Sequence, residues 1–265
     1  MTVHGRRERT LAGLLVLGMT LTGTPAAAQA PAGGPTTPLA GPPAATAPTW
    51  SALWREVGSD FRRVLSGETA VILGVAGGLS AAAHPLDEHV TARAGASTTL
   101  DRTLAAGAVG GGGLVQAGGA MATYVLGRAL DRPRLAGTGA DLVGAQIVAT
   151  AITHGIKVSV QRRRPDGGRF SFPSGHTAST VATAAVLQRH YGWKAGLPAF
   201  AFGAYVAGSR LQDRRHYLSD VLFGAGIGLV SGRSARIGHG RGAGSVSPMA
   251  VPGGIGVVFT SGGAS

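Results

Sequence analysis

"RRRPDGGRFSFPSGHTAS", residues 162–179, sets three consecutive arginines, two prolines, a glycine pair and a Pro-Ser-Gly-His tetrapeptide between two apolar runs. Pro165 biases Arg164 away from helical backbone, so a helix entering from the N-terminal side ends here. Ser174 stands immediately before the next apolar run, where a side-chain oxygen can cap free N–H groups, so a second helix starts near Gly175. The stretch is therefore a helix-to-helix connection crowded with positive charge beside His176. What flanks it sets the fold class.

Apolar stretches rich in Ala, Leu, Val and Gly recur at residues 68–83, 103–130, 138–163, 175–190, 194–210 and 217–232. They lack strand-like alternation and exceed ordinary strand length, which predicts an all-α fold, a six-helix bundle over residues 51–235. Gly110 to Gly113 and Gly118-Gly119 leave the second segment open as one close-packed helix or a broken one. Only residues 103–127 are free of charge over the length of a bilayer span, and the other stretches offer 12 to 15 uncharged residues. On that ground the expectation is a soluble or peripheral bundle rather than an integral membrane protein.

Outside the bundle, residues 1–30 read as a secretory signal peptide: Arg6, Arg7 and Arg9 precede the apolar run Leu11 to Gly23 and small residues around Ala26 to Ala30. This predicts export to the periplasm or cell envelope. Residues 31–50, with six prolines and no charge, read as a disordered tether. Residues 236–265 form a Gly-rich tail in which 246–260 reads as two short strands around Pro-Gly-Gly, and Arg233, Arg236 and Arg241 read as a solvated basic linker. The chain has 24 Lys and Arg against 12 Asp and Glu, a formal charge of +12, and no cysteine. Disulfide stabilisation and thiolate chemistry are thereby excluded, and anionic partners are favoured.

Three stretches carry chemistry. Lys157 and Arg164 are seven residues apart, two helical turns, which predicts both on one face with Pro165 ending the helix. Ser174, Gly175 and His176 offer a hydroxyl, free N–H groups and a titratable ring at a helix start. His216 and Asp220 are four apart, a spacing that on a helix lets the carboxylate orient one imidazole nitrogen and leave the other free. Each alone has a bland reading, as dipole complement, helix cap or ion pair. Arg162, Arg163, Arg214 and Arg215 read either as inward cations or as solvent-facing charge. His154, one turn before Lys157, reads as a pocket residue or a core or capping histidine, and His4, His84, His190 and His239 receive no role.

Taken together, Lys157-x6-Arg164-Pro165, Pro173-Ser174-Gly175-His176 and Ser209-Arg210-x5-His216-x3-Asp220 resemble the three-part signature of the type 2 phosphatidic acid phosphatase family, with all eleven fixed residues present. That family shares its fold and site with class A nonspecific acid phosphatases and vanadium haloperoxidases. The resemblance implies a phosphatase for phosphate monoesters, either lipid phosphates or small esters, in which His216 attacks phosphorus and Asp220 holds its other nitrogen. His176 would protonate the leaving alcohol and then activate water, while Lys157, Arg164, Ser174, Gly175 and Arg210 bind the phosphoryl oxygens. His216 neutral and His176 protonated imply a bell-shaped pH dependence.

No metal site is expected and no cofactor is required, since the cations do the work of a metal ion; vanadate would be an inhibitor. It becomes a cofactor only in the alternative reading, a vanadium-dependent haloperoxidase. A second alternative is a non-catalytic basic envelope protein that binds anionic lipid or nucleic acid. The main reading expects a phosphate-ester substrate, possible membrane association and no nucleic acid. The seven residues between Pro165 and Pro173 imply an open pocket of broad substrate choice.

Overall fold

A computed structural model describes residues 46–235 and the backbone of 245–251 and 254–260. The expected signal peptide, the tether as far as residue 45, and Arg236 and Arg241 lie outside the described residues.

Within them the chain is a bundle of nine α-helices: α1 (Trp50–Val64), α2 (Gly67–Ala83), α3 (Asp87–Gly95), α4 (Thr98–Gly110), α5 (Gly113–Ala129), α6 (Pro133–Val160), α7 (Gly175–Tyr191), α8 (Trp193–Gln212) and α9 (Leu218–Ser234). A 3-10 turn, His84–Leu86, joins α2 to α3. In the tail, β1 (Ser245–Val251) and β2 (Gly254–Thr260) form an antiparallel hairpin. The all-α class is as expected from the apolar runs, and the helix number is higher for three physical reasons. Charged residues interrupt α1, so it shows no apolar run, yet Leu53, Val57 and Asp60 recur on its buried face and Thr49 caps its first turn. The short α3 opens on Asp87 and Glu88 in its first turn, where carboxylates complement the helix dipole. The expected segment 103–130 breaks at Gly111-Gly112 into α4 and α5, with Val206 of α8 packed too close to Gly111 for any side chain there.

The longest helix, α6, is the axis of the bundle: Ala136 through Gln146 are all buried, and it packs against α5, α7 and α9. Its neighbours α7 and α9 approach closely along Gly224, Gly228 and Gly232, where an added Cβ would meet Ser174 O at 2.6 Å, Ala178 O at 2.5 Å and Ala182 O at 2.6 Å. Because those oxygens are backbone, they cannot swing aside. Gly228→Ala should therefore lower stability by about 1–3 kcal/mol, the usual overpacking cost. A thermal midpoint equal to that of the parent chain would contradict this packing.

The outer helix faces differ from those expected of a soluble protein. Val71 is 51 % exposed, Val75 58 % and Leu79 55 % on α2, and on α5 Leu114 reaches 92 %. Contiguous apolar surface of this kind marks an interaction face. Two helical runs, Gly67–Gly95 and Pro133–Val160, are long and apolar enough to cross a membrane, the first with only 17 % of its apolar window buried. The uncharged stretch 103–127 is instead broken at its middle. The preference for a soluble or peripheral bundle thus finds no support: the 3-10 turn carries α2 onward past the His84-Pro85 break and lengthens an apolar run that the sequence shows as short.

Two connections, α6–α7 and α8–α9, meet at one end of the bundle, joined by Asp166 N–H donating to Arg214 O (3.1 Å) and Ser174 N–H to Asp220 O (3.0 Å).

Candidate active site

The site is built where those two connections meet. α6 ends at Val160 because Gln161 adopts the left-handed cap conformation at φ 50°. Lys157 lies in the last turn and its Nζ donates to Phe170 O at 2.6 Å. Arg164 is not on the helix face with Lys157 as the two-turn spacing predicted. It sits in a turn, its N–H bonded to Gly168 O and its carbonyl accepting from Gly167. The helix stops before Pro165 requires it to, and the loop, not the helix, brings Arg164 back beside Lys157. Its Nε is buried without a partner among the described residues.

Across the connection, Ser174 is the N-cap of α7 and is fully buried; its Oγ accepts from Thr177 Oγ1 (3.0 Å) and Thr177 N (3.4 Å). As an acceptor the hydroxyl caps the first helical turn, which leaves its own proton for a further partner, and the cap places Gly175 and His176 at the positive helix end. His176 stands among Arg210, His216 and Lys157, with the backbone of Ala108 in α4 beside its ring. Burial, then the charges of Arg210, His216 and Lys157, push it down to about 4. Its imidazolium, expected for a general acid, thus needs a negative charge beside it, and a phosphate ester supplies one.

Arg210, near the end of α8 and almost fully buried, pairs with Asp213. Its carbonyl accepts from Arg215 N (3.0 Å) and His216 N (3.3 Å), which turns the chain so that the His216 ring lies inside. His216 precedes α9 rather than sitting on a helix with Asp220, which occupies the first turn. The i, i+4 contact is made all the same, because Asp220 Oδ2 folds back to accept from Tyr217 N at 2.9 Å. His216 Nδ1 lies 3.6 Å from Asp220 Oδ2, within ion-pair range and beyond a hydrogen bond. Such contacts are often long until substrate tightens them. Desolvation by burial, with Lys157 and Arg164 nearby, holds His216 below the ordinary histidine value against the opposing pull of Asp220, so the ring favours its neutral form.

Asp220 is fully buried and accepts from three further donors: Arg162 Nη1 at 2.7 Å, Ser171 Oγ and Tyr217 N. Ser171 was not legible as a site residue, since a lone serine in a loop carries no spacing signal. Arg162 was visible beside Arg164 but not separable from solvent-facing charge. A cavity of about 240 Å³ beside the site is lined by Thr153, His154, Lys157, Gly175, His176 and Ser179, which places His154 at the pocket. The two histidines, Asp220 and the cations Lys157, Arg164 and Arg210 thus come together. Ser174 supports from beneath. Among the described residues no cluster of three or more His, Cys, Asp or Glu is arranged to hold a metal ion.

Residues 166–240, which contain the α7 and α9 halves of this arrangement, match the family model described as PAP2 superfamily. Over that segment the chain is similar to the PAP2 superfamily. One curated relative, a lipid A 1-phosphatase of Porphyromonas gingivalis, is 34 % identical over 96 residues, which is 35 % of this chain. The match spans 21 % of that relative's length. Among solved structures, the chain is similar to a transmembrane PAP2 type phosphatidylglycerolphosphate phosphatase from Bacillus subtilis, at 20 % identity with a TM-score of 0.45, covering 62 % of this chain and 92 % of that one.

Proposed function

We propose that this chain is an exported, membrane-bound, metal-independent phosphatase that hydrolyses the phosphate monoester of a lipid, releasing inorganic phosphate, through a phosphohistidine. One observation carries the reading: a buried, neutral-leaning His216 beside a buried carboxylate, close enough to feel the charges of Lys157 and Arg164 and to act in turn on His176, which also feels Arg210. His216 Nε2 would displace the alcohol at phosphorus while Asp220 takes up the charge that develops on the ring. Lys157, Arg164, Arg210 and the first N–H groups of α7 would stabilise the phosphoryl oxygens as charge spreads over them. His176, protonated together with the incoming ester, would give its proton to the leaving alcohol and then draw one from the attacking water. A lipid substrate is supported by the likeness to the P. gingivalis lipid A 1-phosphatase and by the apolar outer faces of α2 and α5, suited to acyl chains. Export rests on the N-terminal signal pattern, outside the described residues.

The test is phosphate release from lipid A, phosphatidic acid, phosphatidylglycerol phosphate and an aryl phosphate in excess chelator. Turnover of a lipid without added metal, and inhibition by vanadate, are expected. Bromide oxidation with peroxide on adding vanadate, without phosphatase activity, would establish the haloperoxidase alternative instead.

The pH profile follows from the two rings. Neutral His216 persists below the ordinary imidazole value of about 6.5. His176 takes its proton in acid or with the ester monoanion, whose second ionisation lies near 6. kcat/KM should therefore peak at or below about pH 6 and decline towards 8. A flat profile from pH 5 to 8 would contradict these assignments.

A further inference from the structure

Behind the site, Arg162 joins two carboxylates that are distant in sequence. Its Nη1 donates to Asp220 Oδ1 (2.7 Å) and Ser219 Oγ (2.7 Å), and its Nη2 to Asp87 Oδ2 (2.8 Å). Nη2 also approaches His84 Nδ1 at 3.2 Å, and the guanidinium stacks on Tyr217 at 4.3 Å from the ring centroid. Asp87, at the start of α3 and 2 % exposed, accepts from Ser219 N at 2.8 Å and Ser219 Oγ at 2.5 Å. The N-terminus of α9 is thus capped in trans by a carboxylate 132 residues away, and Ser80 Oγ fixes the Ser219 carbonyl at 2.9 Å. The residue after Ser219 is Asp220.

We infer that Asp87 and Arg162 are a positioning pair that sets the Asp220 carboxylate against His216, an inference that rests on the phosphohistidine reading above. The physical reason is competition for charge. Asp220 faces a cation on each side when His216 carries positive charge: Arg162 at Oδ1 and the imidazole at Oδ2. With Arg162 shared by Asp87, the guanidinium is already half neutralised by a second bidentate-capable carboxylate, and Asp220 keeps negative charge for the ring. Without Asp87, Arg162 pairs with Asp220 alone and draws it from the histidine. Neither residue is placed to touch phosphate, so the pair acts on turnover and not on substrate affinity.

The experiment compares Asp87→Asn, Asp220→Asn and the double variant in the full chain, with steady-state kinetics on an aryl phosphate. Asp87→Asn should lower kcat roughly tenfold to a hundredfold, the effect of a small misplacement of a reacting group, with KM within about twofold. In the Asp220→Asn background the same change should cost less than about twofold, because its route is already cut. Arg162→Gly should recover kcat on adding guanidinium ion, whereas a chain damaged in its packing would not. Unchanged kcat in Asp87→Asn, or an equal fractional loss in both backgrounds, overturns the inference. Should Asp87→Asn fail to unfold cooperatively, Ser219→Ala, which removes one hydroxyl between Asp87 and Arg162, must lower kcat at constant KM; wild-type kinetics there overturn it as well. A parent chain that releases no phosphate, or a His216→Asn chain that keeps full activity, instead refutes the phosphohistidine reading itself.

Discussion

Phosphate release should fall by at least about 10³-fold when His216 is replaced by asparagine, because His216 is the imidazole set beside the buried Asp220 carboxylate and an amide cannot take its place as nucleophile. The ring is 3 % exposed, and its backbone N–H, bonded to Arg210 O, survives the substitution. The smaller amide, which keeps a polar group where the ring's Nδ1 stands, should therefore leave the fold in place, as read by circular dichroism and the thermal midpoint. The cations remain, so the variant should still bind vanadate or inorganic phosphate at close to parental affinity. Binding without turnover separates a lost nucleophile from a lost pocket. Activity within tenfold of the parent would remove His216 from the mechanism, and the non-catalytic reading as an anion-binding envelope protein would take its place.

Asp220→Asn should be the second large effect, a loss of about 10³–10⁴-fold in kcat with little change in KM, comparable to replacing the orienting carboxylate of other catalytic histidines by an amide. Two consequences are combined in it. The amide carries no charge to stabilise an imidazole bearing a phosphoryl group, and an amide nitrogen turned towards Ser171 Oγ and Tyr217 N would oppose one donor to another. Equal losses in kcat/KM and in vanadate affinity would mean that Asp220 shapes the phosphate pocket rather than the nucleophile.

Much of the site was legible because its parts are local. Each motif lies within a turn or two of chain, and the spacing of Lys157 to Arg164, of Ser174 to His176 and of His216 to Asp220 identifies residue types that can handle a phosphoryl group. The details of backbone did not follow from spacing. Arg164 reaches Lys157 through a loop after a left-handed cap, and His216 lies ahead of α9, because helix ends are set by cap geometry that periodicity does not encode. The break between α4 and α5 likewise depends on Val206 of another helix filling the space beside Gly111.

The amino-acid sequence by itself determined the helical class, the two histidines, the carboxylate and the cations, since apolar runs and short spacings are properties of neighbouring residues. Only the tertiary structure decided that Ser174 serves the helix it begins, that α2 and α5 turn apolar faces outward, and that Asp220 is held by Ser171, Arg162 and, through Arg162, by Asp87. These contacts join residues 49 to 75 positions apart. Which distant groups meet is fixed by how the helices pack against one another, and burial and partnership, unlike residue type, exist only once they have packed.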